Sequence, residues 1–108
     1  MTVLAIDIQY PLNKNTEVVA AWFRAIEKYP QPEGLFTTLL DNVVRVDKKG
    51  VKVLAAYLIN PGKYDGASSY WVNFMKEYWD IEGFSYEFST WLTIEEAMGV
   101  IDQQAPGR

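Results

Sequence analysis

Residues 34–60 read GLFTTLLDNVVRVDKKGVKVLAAYLIN, two apolar runs joined by Asp47-Lys48-Lys49-Gly50. Asp opens a turn and Gly supplies the positive φ that closes one, so Leu35 to Val46 and Val51 to Ile59 are expected to pair as an antiparallel hairpin. The second arm, VKVLAAYLI, is nearly continuous in apolar residues and holds no Pro. That pattern predicts a strand in the middle of a sheet. The Lys48-Lys49 pair is then a solvated tip that discourages edge-to-edge pairing.

Upstream, Val3 to Tyr10 alternates, with Leu4, Ile6, Ile8 and Tyr10 on one face and Val3, Ala5, Asp7 and Gln9 on the other, which predicts a strand closed by Pro11. Thr16 to Tyr29 changes to helical spacing, where Val18, Val19, Trp22, Phe23, Ile26 and Tyr29 form a wide apolar stripe. Pro30 and Pro32 end this helix and lead to the Glu33-Gly34 turn. Downstream, Pro61-Gly62 stops the hairpin, and Asp65 is the expected N-cap of a helix running to about Asp80. Trp71, Phe74, Met75, Tyr78 and Trp79 give it an aromatic face, and Gly83 is placed to cap its C-terminal side. Phe84 to Leu92 alternates again, and Thr93-Ile94-Glu95-Glu96 has the form of a capping box opening a short last helix.

The order strand, helix, strand, strand, helix, strand is that of the ferredoxin-like βαββαβ arrangement, an α+β fold with a four-stranded antiparallel sheet and both long helices on one face. The first and third strands fall in its centre, where the most apolar runs stand. One domain over residues 1–103 is expected, followed by a frayed tail from Gln104 to Arg108.

Composition narrows the function. The chain of 108 residues carries a net charge of -4 and shows no basic cluster, which disfavours nucleic acid. It has no Cys, which excludes thiolate chemistry, and no His, the side chain that normally holds haem iron or zinc, so no metal or cofactor is expected. No glycine pattern matches a phosphate cradle. No run has the length of a membrane span and the first residues do not read as a signal peptide, so a cytoplasmic protein is expected.

Carried along the strands, alternation gathers Leu4, Ile6, Ile8, Phe36, Leu40, Val44, Val53, Tyr57, Ile59, Phe84, Tyr86 and Phe88 on the helix-covered side. It leaves Leu35, Leu39, Val43, Leu54, Ala56, Leu58 and Trp91 opposite, with Asp7, Asp41, Arg45, Lys52 and Glu87 among them. So large an aliphatic patch is expected to be covered, and a second copy packed sheet to sheet is the economical cover. On Pro32-Glu33-Gly34, the helix bearing Trp71 and Trp79, and the closing Thr93-Ile94-Glu95-Glu96, residues 2–102 resemble small members of the dimeric α+β barrel superfamily. The resemblance implies a homodimer and a ligand site between helices and sheet. It also implies, as an alternative, a cofactor-independent monooxygenase or isomerase, some of which place a Trp and an Asn near the pocket, here Trp71 and Asn73.

The expected activity is binding of a small apolar or aromatic ligand, with Tyr10, Trp22, Asn42, Tyr57, Trp71, Asn73 and Tyr86 as candidate contacts. The same aromatics at helical spacing also serve as ordinary core. Asp7, a carboxylate in a central strand, is the candidate catalytic group if a partner desolvates it. Its plainer role is a salt bridge to Arg45 or Lys52. Asp7, Asp41 and Glu87 as a metal cluster would lack the loop spacing such sites have. A structural subunit or protein-interaction module is a third reading, in which side chains fill the space under the helices.

Overall fold

The computed structural model describes residues 2–100. In chain order these form β1 (Thr2–Tyr10), a 3-10 turn (Leu12–Lys14), α1 (Asn15–Lys28), β2 (Phe36–Asp47), β3 (Gly50–Ile59), α2 (Tyr64–Lys76), β4 (Ser85–Leu92) and α3 (Ile94–Val100). The sheet is antiparallel throughout, with strand order β2-β3-β1-β4. This is the ferredoxin-like α+β topology expected from the element order, with β1 and β3 at the centre. The expected tail, Gln104 to Arg108, lies outside the described residues. No described helix is long and apolar enough to cross a membrane.

The hairpin closes as its four connecting residues require. The Lys49 N–H donates to Asp47 Oδ1 at 2.8 Å, and Gly50 takes φ +114°. Any Cβ at Gly50 would overlap the Tyr10 carbonyl oxygen, so this glycine meets both a backbone and a packing demand.

Alternation sets the two faces of β1 and β3. Leu4 pairs with Tyr57, Ile6 with Ala55, Ile8 with Val53 and Tyr10 with Val51, all toward the helices. Leu4, Ile6, Tyr57 and Ile59 are buried there, and truncating Leu4 or Ile6 to Ala would cost about 3 kcal/mol each.

The helices depart from the sequence reading. α1 buries Val18, Ala21 and Ala25, whereas Val19, Trp22, Phe23 and Ile26 are exposed, Phe23 to 57%. The small alanines sit in the cluster that holds Phe74 and Met75 of α2, and the larger side chains are left beside that contact. α2 begins at Tyr64 with Lys63 as its N-cap and no capping side chain, so Asp65 falls inside the first turn. Past Lys76 the chain tightens into turns in which Tyr78 N–H donates to Met75 O, Trp79 to Lys76 O and Ile81 to Tyr78 O. That tightening buries Tyr78 and Ile81 and leaves Trp79 exposed. Gly83 (φ +82°) therefore serves the entry to β4 rather than the end of α2. At α3 the capping box forms as read, with Glu96 N–H donating to Thr93 Oγ1 at 3.3 Å and Thr93 N–H to Glu96 Oε1 at 3.2 Å.

β2 carries the departure that matters for the site. Its register against β3 slips by one residue between Thr38 and Leu40 and again between Leu40 and Val43. One slip inverts the faces and a second restores them. Leu40, expected under the helices, therefore pairs with Ala56 on the helix-free side, while Val44 returns to the helix side opposite Val53. Asn42 holds the irregularity with φ +39°, a conformation asparagine tolerates better than most residues.

Candidate functional site

The buried core falls into two clusters. One gathers Tyr10, Val18, Ala21, Ala25, Phe74 and Met75, and the other Leu4, Ile6, Phe36, Ala55, Tyr57 and Ala67. Trp71 and Tyr70 of α2 pack against both. Between the clusters lies a cavity of about 310 Å3. Ile6 and Ile8 of β1 and Ala55 and Tyr57 of β3 line it from the sheet. Tyr70, Trp71, Phe74 and Met75 of α2 line it from above, with Trp22 and Ile26 of α1. Ala55 leaves the middle of the floor unfilled. Exposed Gln31, Thr38, Asp41 and Asn42 supply a polar rim. A neighbouring recess of about 240 Å3 shares Ile8, Trp22, Asn42 and Tyr78 with the cavity.

Aromatic contacts fix the walls. Trp71 meets Tyr57 at 4.5 Å, Tyr70 at 4.9 Å and Phe74 at 5.1 Å between centroids. Edge-on and offset pairs of this kind add to the area they bury. The Trp71 Nε1–H is buried with no hydrogen-bond acceptor among the described residues. At the outer end, Tyr70 OH donates to the Tyr29 carbonyl oxygen at 2.8 Å, and Lys28 pairs with Glu77 at 3.2 Å, tying the end of α1 to the chain beyond α2.

Burial pushes the Tyr57 phenol well above its ordinary range, and the Asp41 carboxylate and Tyr70 push it further. Burial does the same at Tyr78. Both hydroxyls therefore remain protonated at neutral pH and act as neutral hydrogen-bonding groups. The negative charge at the rim reaches the cavity floor, because Asp41 contributes to the Tyr57 shift.

Of the residues singled out from the sequence, Trp22, Asn42, Tyr57 and Trp71 line this cavity. Tyr10 lines the neighbouring recess and its hydroxyl donates to Asn15 Oδ1 at 2.8 Å. Asn73 is not among the lining residues; it lies two positions from Trp71, and residues so spaced on a helix face different ways. Tyr86 accepts a hydrogen bond from Trp79 Nε1 at 3.0 Å and stands on β4, the edge remote from the cavity's β2 rim. Asp7 is exposed on the helix-free side, in register with Glu87, and Arg45 and Lys52 pair with Asp47 instead of with it. Asp41 lines the cavity and so stands apart from Asp7 and Glu87, which line a hollow on the helix-free side. Among the described residues no three acidic side chains gather as metal ligands would.

Asp41 is the rim residue that alternation misassigned, and Gln31, Tyr29 and Tyr70 were not singled out. A signal for Asp41 was present: Asp-Asn in mid-strand, amid β-branched residues, is a poor strand pair and a natural site for a bulge.

The fold and site thus define a ferredoxin-like α+β protein with an aromatic-walled cavity between helices and sheet. No protein-family model matches the sequence, and no curated protein matches it. Among solved structures it is similar to the de novo designed protein Foldit4, with a TM-score of 0.52 and 10% identity over 85% of this chain and 97% of that one. It is also similar to a proposed antibiotic biosynthesis monooxygenase from Deinococcus radiodurans, with a TM-score of 0.48 and 12% identity over 86% and 92% of the two chains. A formyltetrahydrofolate deformylase from Pseudomonas putida KT2440 gives 0.45 and 8% identity, covering 82% of this chain and 28% of that chain. The likeness to the designed protein, at 10% identity, speaks for the arrangement of elements and not for chemistry.

Proposed function

We propose that this protein binds a small planar aromatic molecule in the cavity between helices and sheet. The observation that carries the reading is a cavity of about 310 Å3 walled by Trp22, Tyr57, Tyr70 and Trp71, with Gln31, Thr38, Asp41 and Asn42 at its rim. That volume is roughly twice the ~150 Å3 apolar cavity that takes up benzene, so about two fused rings fit. Burial of such rings against aromatic faces supplies affinity, while Thr38, Asn42 and Gln31 orient the ligand's polar edge.

Binding is favoured over the cofactor-independent monooxygenase or isomerase alternative because the candidate proton-transfer groups do not suit it. Asp7 stands on the opposite side of the sheet from the cavity, and Tyr57 is held protonated, which makes it a donor and not a base. A purely structural module would have filled the space that Ala55 leaves open. The test is titration with indole and naphthalene probes followed by intrinsic Trp fluorescence. A saturable change that disappears in Ala55→Leu supports the reading; no saturable change with any probe removes it.

The proposal includes a homodimer through the helix-free side. The chain is a slab 17 Å thick, and its radius of gyration of 16.2 Å exceeds the ~13 Å of a compact chain of this length. Val43 and Leu54, paired across the sheet and 46% and 37% exposed, stand there between basic Arg45 and Lys52 and acidic Asp7 and Glu87. A two-fold axis parallel to that side, lying in the plane between two copies, can bring each basic pair onto the other copy's acidic pair.

A further inference from the structure

Resting on the cavity-binding reading, the charge around the cavity specifies more than an aromatic ligand. Among the described residues that line it, Asp41 is the one charged side chain. Its place there depends on the double slip in β2 and on the left-handed backbone of Asn42, a strained arrangement of the kind kept where a side chain must be aimed. Asn42 Nδ2–H donates to Asp41 Oδ1 at 3.0 Å, which orients the carboxylate, and a carboxylate has acceptor capacity for several further bonds.

The walls reinforce that sign. The π faces of Trp and Tyr are negative, and Trp22, Tyr57 and Tyr70 line the same cavity as Asp41. The carboxylate's field is felt at the Tyr57 hydroxyl. Arg24, whose charge reaches Tyr78, is turned to the Glu77 carbonyl oxygen at 3.5 Å, so positive potential lies toward the Tyr78 wall and negative potential at Asp41. The net charge of -4 adds a weak long-range attraction for cations.

We propose that the ligand is an aromatic cation, an amine or quaternary ammonium carried on a planar ring system, whose charge sits at the Asp41 end of the cavity while its rings lie between Tyr57 and Trp22. Aromatic acids are disfavoured, because their carboxylate would meet Asp41 at the polar rim, and no cationic side chain is among the described residues that line the cavity.

The experiment compares three probes with the same rings: naphthylmethylamine, naphthylmethanol and naphthoate, each titrated at neutral pH into the full chain and into Asp41→Asn. The expected result is that the amine binds roughly tenfold more tightly than the alcohol, the acid most weakly, and that the amine's advantage falls to near one in Asp41→Asn. Equal affinities, or tightest binding of the acid, overturn the cation assignment while leaving the aromatic cavity in place. An amine preference that survives Asp41→Asn also overturns it, since the charge is then read elsewhere. Binding of none of the three overturns both this inference and the reading it rests on.

Discussion

The indole of Trp71 lies over the phenol ring of Tyr57, centroids 4.5 Å apart and planes 25° from parallel, while its own N–H is buried without an acceptor among the described residues. The ring and its polar atom therefore make opposite contributions. Trp71→Phe keeps aromatic contact and removes the unpaired donor, so stability should hold within about 1 kcal/mol of the parent. Trp71→Ala removes contact as well and should cost about 3 kcal/mol. Urea unfolding of both variants checks this; equal losses would mean that the N–H is satisfied in solution.

Asn42 gives a second prediction. At φ +39°, Asn42→Gly should be close to neutral, whereas Asn42→Val should cost about 2 kcal/mol, because β-branched residues resist left-handed backbone. Thermal melts of the pair measure the difference. A tolerated valine would show that the bulge relaxes to regular pairing, and Asp41 would then turn away from the cavity.

Gly50 and Gly34 both have positive φ, yet only Gly50 faces an obstacle. Gly34→Ala should cost about 1 kcal/mol, the backbone penalty alone. Gly50→Ala adds a collision with the Tyr10 carbonyl and should cost more than about 2 kcal/mol. Chemical denaturation distinguishes the two, and a ranking in the reverse order would contradict the hairpin geometry.

Alkaline pH should destabilise the fold. Tyr57 and Tyr78 have folded-state pKa values raised above the ordinary value of about 10, chiefly by burial. The unfolded chain loses these protons first, so their contribution is intact below about pH 10 and declines as pH rises beyond it. Each tyrosine contributes a slope of about 1.4 kcal/mol per pH unit in that window. Tyr57→Phe should remove one such slope in unfolding midpoints measured across it, and an unchanged slope would show that the phenol ionises as freely in the fold as out of it.

For the helix-free side, Leu54→Glu or Val43→Lys should convert a sedimenting dimer to monomer without lowering helix content. A parent chain that sediments as a monomer at micromolar concentration would remove the sheet-to-sheet pairing.

The hairpin, the strand order and the capping box were legible because each rests on local rules: a turn chemistry at Asp47 to Gly50, alternation in Val3 to Tyr10, reciprocal bonds between Thr93 and Glu96. Trp22, Asn42, Tyr57 and Trp71 line the cavity, which follows from placing it between helices and sheet. What could not be read was the fine placement that tertiary packing decides. Counting faces straight through Asp41-Asn42 ignored a break in pairing that two poor strand formers announce. In α1 the apolar stripe reads as one contact surface, although two alanines, the least conspicuous members of the helix, are the residues most fully buried.

The alanine seam of α1 has a consequence for motion. With Val18, Ala21 and Ala25 as its buried residues, this helix is held by little apolar area, while α2 is anchored by Phe74 and Met75. Amide protons along α1 should therefore exchange with solvent sooner than those of α2, through local opening that leaves the sheet intact. Such opening would lift Trp22 and Ile26 away together, giving a guest molecule a route inward without any loop acting as a lid.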